Sequence, residues 1–541
     1  MRQKIIILFL ALSLLGGASF ASAASIGQAN PKTANAFLRW QITDAEVAGL
    51  AKFDVLILDM ENQAVNPQRL KKIKELHPDI IILAYISSQE IRNDTALYNI
   101  PLRQKMFAAL PDSWYLRDEA GKKISFWPDT WMINVANSGF DDYLPRFIDE
   151  EILSSGLWDG IFFDNLWEDV AWLNGGDVDI NGDGRREGTA ELNRAWQEGV
   201  ENILSATRDR VGSKYILLAN SSSYLPYHQY LNGRLFEDFP SVYEGRGTWE
   251  DNISSYQKIQ AVNLSPQIYV FNLTNNESDN FSRRLYGLSS SVLFDNIYFS
   301  FDRNISDHGQ SWWFKEYDFN LGEPLGAAQE LFDETGAKYY RREFRNGLAI
   351  LNPQAQETTI NLETEYRLVG KKAKTKSISV PARSGWLLER VRSLQSSLFS
   401  GGTYSGYDLS GKTVATQLVS SKVQKGARTN LINGVGIKGS GAYSRPGVWI
   451  YYNQKLVGAF NPYPRLKTAA VLVSLGDYNG DGQLEIATLP AGGQDKLKIF
   501  SLRAKLLASF SVENLGKSGK LDLLSEDLNK DEITEIIVGR Y

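Results

Sequence analysis

The stretch Trp158-Asp159-Gly160-Ile161-Phe162-Phe163-Asp164-Asn165-Leu166-Trp167 decides how the chain is read. An apolar run at 161–163 stops abruptly at Asp164 and Asn165. Short apolar runs bounded by glycine and polar residues read as buried strands. A carboxylate at the C-terminal end of such a strand is a poor neighbour for a core. In a parallel barrel, however, that end is where active sites are built. Taken alone, Asp164 could equally cap the next helix or pair with an arginine.

Working outward, strand-like runs fall at 37–41, 54–59, 80–86, 160–163, 215–219, 234–236 and 267–271, with a further one inside 291–301. Helical patterns alternate with them. Thr43-Asp44-Ala45-Glu46 has the form of a capping box, and Asn66-Pro67 opens a helix through Glu75. Runs this apolar are covered on both faces, as in a parallel sheet with helices outside. Eight of them between residues 34 and 322 predict a (β/α)8 TIM barrel in the α/β class. A doubly wound open sheet is the alternative. Its Gly-rich first turn is missing from Trp40-Gln41-Ile42-Thr43.

The run ends carry Asp59 and Glu61, Asp164 and Asn165, Asn220, Glu237 and Asp238, and Asp302. Barrel topology brings such ends to one mouth. Carboxylates gathered there repel one another and lose solvation, which favours a site over a set of helix caps. Asp164 and Glu237 are the candidate catalytic pair. One carboxyl would give a proton to a leaving glycosidic oxygen; the other would attack the anomeric carbon or activate water. Asp59, Glu61, Asn165, Asn220, Asp238 and Asp302 would hold substrate and tune the pair. Whether Glu237 or Asp238 faces the mouth depends on the strand pleat. Trp127, Trp131, Trp167, Tyr224, Tyr227, Tyr243 and Trp249 are available to stack on sugar faces, and about half are expected to do so rather than sit in the core.

The totals exclude other chemistries. The 541 residues carry a net charge of -5, which offers no basic face for nucleic acid. There is no cysteine, so thiol nucleophiles, disulfides and Cys-ligated zinc are ruled out. The only histidines are His77, His228 and His308, so a Ser-His-Asp triad would have to use one of the last two. No catalytic cofactor is expected. Met1-Arg2-Gln3-Lys4, an apolar run at 5–15 and Ala21-Ser22-Ala23 read as a signal peptide over 1–23. The expected mature protein is secreted or held in the cell envelope, with no transmembrane segment.

Further motifs set the chain beside a known family. They are Trp114-Tyr115-Leu116-Arg117-Asp118, Gly121, Trp127-Pro128, Asn134, the stretch quoted first, Ala219-Asn220 and Phe236-Glu237. Over residues 34 to about 390 the chain resembles the glycoside hydrolases related to the endo-α-1,4-polygalactosaminidases. That resemblance implies a (β/α)8 barrel, a nucleophile at Asp164, an acid/base at Glu237 and an amino-sugar polymer as substrate. It also implies that the β-rich residues 323–393 are an accessory β-sandwich.

Two features lie outside the barrel pattern. Asp179, Asn181, Asp183 and Glu187 surround Gly184 with the spacing of a calcium loop, although a bidentate Glu at the twelfth position is missing; a structural Ca2+ or a plain polar turn would each account for them. After a linker at 394–404, residues 405–541 repeat with an offset of 50: Lys455 to Phe460 recurs at Lys505 to Phe510, and Asp477, Asn479, Asp481 and Glu485 recur at Asp527, Asn529, Asp531 and Glu535. This predicts a propeller-like all-β region. Its turns resemble the calcium loops of FG-GAP integrin-like repeats, which makes Asp477, Asn479, Asp481 and Glu485 a second candidate Ca2+ set and attachment to a cell surface or matrix the expected role. The leading expectation is thus a secreted hydrolase of a polysaccharide; the rival is a non-catalytic glycan-binding or adhesive surface protein.

Overall fold

A computed structural model describes residues 31–541 apart from 137, 275–279, 303–307, 372, 391–401, 408–412, 420–430, 433–434, 440–444, 453–454, 468–469, 480–482, 493–495, 513–520, 527–533 and 541. The expected signal peptide at 1–23 and linker residues 394–401 lie outside the described residues. No helix among the described residues is long and apolar enough to cross a membrane. The chain divides into two compact units, Met1–Asn280 with Phe294–Ala327, and Phe281–Leu293 with Ala328–Tyr541.

The first unit holds strands β1 (Ala34–Phe37), β2 (Val55–Asp59), β3 (Ile81–Ser87), β4 (Glu90–Arg92), β5 (Thr130–Met132), β6 (Gly160–Leu166), β7 (Ile216–Ser221), β8 (Gly233–Phe236), β9 (Ile268–Thr274) and β10 (Ile297–Asp302). Its helices are α1 (Asp44–Leu50), α2 (Asn62–Val65), α3 (Pro67–Leu76), α4 (Pro101–Ala109), α5 (Phe140–Phe147), α6 (Thr189–Val211), α7 (Leu225–His228) and α8 (Trp249–Gln260). Eight strands pair in parallel in the order β1-β2-β3-β6-β7-β8-β9-β10, with β4 and β5 as a separate two-stranded antiparallel sheet. The barrel is nearly closed, by a bridge from Thr33 to Phe299 and a 2.9 Å bond from Phe299 N to Lys32 O.

Strand periodicity explains both the core and the mouth. Val55, Ile57, Leu83, Phe162, Ile216, Leu218, Leu235, Ile268, Val270 and Tyr298 point inward and form one buried cluster. Two residues past the last inward apolar position on β2, β3, β6, β7, β8 and β9 come Asp59, Tyr85, Asp164, Asn220, Glu237 and Asn272. On β10, the position four past Tyr298 is Asp302. All seven line a single cavity. The apolar interior therefore passes into a polar layer at the C-terminal strand ends.

The decisive stretch is anchored at its other end. Trp158 Nε1 donates to Gln63 Oε1 at 2.8 Å, and Asp159 accepts from Ile82 N at 2.7 Å while pairing with Lys74. Gly160 cannot be replaced without moving β7, because a Cβ there would lie 1.9 Å from Ile216 O. One expected strand shifts: β1 ends at Phe37 rather than spanning 37–41. Leu38 N bonds to His308 O, and Leu38 and Trp40 line the cavity instead of extending the ladder.

The second unit opens with α9 (Phe281–Val292), followed by β11 (Gln329–Phe332), β12 (Lys338–Phe344), β13 (Gly347–Asn352), β14 (Thr358–Leu368), β15 (Lys374–Val380) and β16 (Ser384–Arg390). These strands join in the order β11-β12-β13-β16-β14-β15, and one apolar cluster draws on β12, β13 and β16 together with β14 and β15. β14 shifts register between Asn361 and Tyr366 and pairs with β16 only beyond that point. Helix α9 supplies the second layer. Its Ser282 Oγ donates to Ser384 Oγ at 3.0 Å, and Phe281 stacks edge-on to Trp386.

The remaining strands are β17 (Gly402–Tyr407), β18 (Thr413–Val419), β19 (Leu431–Ile432), β20 (Val435–Gly439), β21 (Val448–Tyr452), β22 (Lys455–Phe460), β23 (Val471–Gly476), β24 (Glu485–Pro490), β25 (Leu497–Ser501), β26 (Leu506–Phe510), β27 (Leu521–Glu526) and β28 (Glu535–Arg540). Residues 402–404, read as the end of the linker, open β17. Three four-stranded antiparallel sheets result: β18-β17-β28-β27, β19-β20-β21-β22 and β23-β24-β25-β26. The repeat offset of 50 reappears between β23 and β27 and between β24 and β28. β28 is paired on both sides, by β17 and β27.

Candidate active site

The cavity at the barrel mouth has a volume of about 510 Å3. Asp164 and Glu237, 73 residues apart in the chain, meet there through one amide. Asn220 Nδ2 donates to Asp164 Oδ1 at 3.1 Å and to Glu237 Oε2 at 2.8 Å. Those two oxygens can be no further apart than about 5.9 Å, the two bonds end to end, and lie about 5 Å apart if the amide protons diverge at the ~120° of a planar NH2. Tyr85 donates its hydroxyl to Asp164 Oδ2 at 2.5 Å, so both oxygens of Asp164 are held. Burial, and then the Asp164 charge, push the Tyr85 hydroxyl well above its ordinary pKa, which keeps it a donor.

Three further groups build the wall. Arg103, from α4, grips Asp59 with two bonds of 2.8 Å. Burial alone would lower the pKa of Arg103, but Asp59 and Glu61 outweigh it and hold the guanidinium above its usual value. Asp302 accepts from Asn272 Nδ2 at 2.8 Å and lies 3.6 Å from His308 Nδ1. Contact with Asp302 raises the pKa of His308 against the effect of burial. Glu90, the first residue of β4, accepts from Asn165 Nδ2 at 3.0 Å. Thr130 Oγ1 is 3.0 Å from Glu90 Oε2 and 2.7 Å from Trp127 O. The bond from Thr130, like the one from Asn165, favours the ionised carboxylate, and burial works against both. Burial, followed by the Asp164 charge, pushes the Glu90 carboxyl up to about 7.

Of the expected site residues, Asp59, Trp127, Asp164, Asn165, Asn220, Glu237 and Asp302 line the cavity. Four do not. Glu61 is fully buried and accepts from Leu102 N and Arg103 N, capping α4. Asp238 follows Glu237 with φ 52° and leaves the lining to its neighbour. Trp167 packs against Phe126 and Trp172 at ring distances of 5.0 and 5.2 Å. Tyr243 is 91% exposed on the loop after β8. Tyr227 and Trp249 are core residues. His228 is buried between Ser222 O and Asn263, and burial lowers its pKa to about 4; it is not part of the cavity lining.

Tyr85, Glu90, Arg103, Asn272 and His308 line the cavity without having been picked from the sequence. Asn272 and Tyr85 were reachable, as polar groups on the inward stripe of two apolar runs. Glu90 and Arg103 arrive from the small β4–β5 sheet and a helix, and nothing in the barrel pattern points to them.

The calcium-like loop brings ligand atoms of Asp179, Asp183 and Glu187 within 4.8 Å of one another. An all-oxygen set of this kind suits a hard cation. Asp179 also accepts from Gly182 N, Asp183 N and Gly184 N, and Asn134 Nδ2 ties the loop to β5 through Ile180 O at 2.7 Å. Asn181 turns its side chain to Asp183 N instead. In the repeats, Glu485 accepts from Tyr478 N and Asn479 Nδ2; Asp481, with Asp527, Asn529 and Asp531, lies outside the described residues.

No curated protein matches this chain. Among solved structures, a noncanonic maltogenic alpha-amylase from Thermotoga neapolitana is 11% identical with a TM-score of 0.41, over 66% of this chain and 98% of that one. An alpha-amylase from Lactobacillus plantarum is 12% identical with a TM-score of 0.39, over 66% and 99%. A GH36 alpha-galactosidase from Geobacillus stearothermophilus is 12% identical with a TM-score of 0.37, over 67% of this chain and 56% of that one. Residues 74–348, just over half of the 541, match the model of hypothetical glycosyl hydrolase family 15, and the chain belongs to that family.

Proposed function

We propose that this chain is an exported glycoside hydrolase that cleaves a polysaccharide with retention of anomeric configuration. The observation that carries this reading is the Asn220 amide, which ties one oxygen of Asp164 to one oxygen of Glu237. A separation of about 5 Å suits a nucleophile and an acid/base; an inverting pair needs about 6.5–9.5 Å to admit water. An Asp164 oxygen attacks the anomeric carbon while the glycosidic C–O bond breaks. Glu237 gives its proton to the departing oxygen. In the second step Glu237 takes a proton from water, whose oxygen displaces Asp164 and frees the sugar.

The supporting groups suit those roles. Tyr85 and Asn220 orient Asp164, and Asp59 is neutralised by Arg103, so it adds little repulsion. Ser87 Oγ, buried in the lining, finds no hydrogen-bond partner among the described residues, and a sugar hydroxyl would supply one. The relation to the endo-α-1,4-polygalactosaminidases puts amino-sugar polymers first among substrates to try. The loop of Asp179, Asp183 and Glu187 is proposed to hold a structural Ca2+ with Asn181 nearby. The repeats, with Asp477, Asn479, Asp481 and Glu485, are proposed to attach the enzyme to a surface.

The test is release of reducing ends from polygalactosamine, partly N-acetylated chitosan, xylan, galactomannan, arabinogalactan and pullulan. Asp164→Asn and Glu237→Gln are each expected to lose at least about 100-fold in kcat. Proton NMR of the first product should show the anomer of the substrate. Equal activity of wild type and both variants ends the reading; an inverted first product removes the nucleophile role from Asp164.

A further inference from the structure

A rigid nest of aromatic rings begins at the cavity and leads out of it. Trp127 lines the cavity and stands edge-on to Phe126, with ring centroids 5.1 Å apart. Phe126 is edge-on to both Trp167 and Trp172, at 5.0 and 5.2 Å, and those two indoles meet edge-on at 5.2 Å. Trp172 is further fixed by donation from its Nε1 to Asp169 O at 2.7 Å. Yet Trp127 is 52% exposed, Trp172 49% and Phe126 39%. Apolar rings are normally withdrawn from water. Here each meets its neighbours edge to face, so the rings stay partly exposed rather than stacking flat on one another.

We propose that this nest is a sugar-binding subsite outside the cavity, with Trp172 as its outer platform. The occupant is a further unit of the same polysaccharide whose bond is cleaved beneath it, so the inference rests on the hydrolase reading above. Continuity decides the occupant: Trp127 belongs to both surfaces, so a chain leaving the cavity crosses the nest. The axial C–H groups of a pyranose carry partial positive charge and fit the electron-rich face of an indole, by the attraction that orients aromatic edges. The flat, fixed faces also avoid the entropy cost of ordering a flexible side chain on binding. The consequence is preference for long substrates, because the outer unit contributes binding that a short glycoside cannot reach.

The experiment uses the full chain carrying Asp164→Asn, which cannot turn over, with and without Trp172→Ala or Trp172→Phe. Each is run by affinity electrophoresis through gels containing one of the six polysaccharides named above, and wild type is assayed for reducing ends on the same panel. The expected result is retardation of Asp164→Asn by at least one polymer, a Kd about tenfold higher after Trp172→Ala, and recovery of most of the binding by Trp172→Phe. In the active background, Trp172→Ala should raise KM on that polymer about tenfold and leave an aryl glycoside of the same sugar within about twofold. Unchanged binding after Trp172→Ala, in a variant with wild-type Tm, overturns the subsite alone. Binding lost by Trp172→Ala without any cleavage by wild type keeps the platform and sinks the hydrolase reading. A wild type that neither binds nor cleaves any of the six overturns both.

Discussion

Glu90→Gln should make the barrel more stable at pH 8 and change little at pH 4.5. Glu90 is buried, and its carboxyl titrates near 7 against an ordinary value of 4.5. The folded-state pKa is raised, so the stabilisation from the neutral form is complete below pH 4.5 and is lost as pH rises through 7. At about 1.4 kcal/mol per pKa unit, the full loss is about 3 kcal/mol by pH 8. Gln cannot ionise, but it keeps both contacts. Its carbonyl can accept from Asn165, and its amide can donate to Thr130 Oγ1, whose own proton then goes to Trp127 O. For a unit of about 300 residues, 3 kcal/mol corresponds to about 5 °C in Tm. The assay is scanning calorimetry of the full chain at half-unit steps from pH 4.5 to 8, resolving the transitions of the two units. The gap between wild type and Glu90→Gln should open from about pH 4.5, reach most of its size by about pH 7 and hold at pH 8, with the variant higher. Parallel curves, or a variant that falls further behind as pH rises, would refute the claim that Glu90 is held neutral beside Asp164.

Two other perturbations read the frame around the site. Arg103→Met leaves Asp59 and Glu61 buried without their cation and should cost about 3–5 kcal/mol, seen as a drop in the barrel transition; a loss under 1 kcal/mol would show that the pair does not depend on Arg103. Millimolar Ca2+ should raise the Tm of wild type and release heat on titration, and Asp179→Asn should abolish both; a flat titration of the wild type removes the ion from the loop.

How much of this was legible follows from where each side chain is mounted. Strand ends were readable because burial on both faces leaves an unbroken apolar run, and the run's end marks the mouth. The inward stripe has period two, so Leu235 inside requires Glu237 inside, and Asp238, one position on, falls away. That parity holds only while the strand does. β2 stops at Asp59, and α2 starts at Asn62, so Glu61 follows helical geometry and turns to the N-terminus of α4. Asn165 fails differently: the register between β6 and β7 shifts after Phe163, φ becomes 54°, and its amide is aimed at Glu90. Glu90 itself sits on a short strand whose docking depends on contacts 40 and 75 residues away, Thr130 and Asn165, and no local pattern encodes them. Aromatic residues were the least decidable group, because indoles serve cores and sugar platforms alike; Trp249 went to the core, while Trp127 and Trp172 stayed about half exposed. Phe126 gives Trp127 and Trp172 edge-on support, and the contact with Trp172 forms only once the segment before β5 and the loop after β6 have been brought together by the barrel. Carboxylates displayed by a periodic strand can be placed from sequence, whereas the groups that orient and shelter them depend on the closed fold.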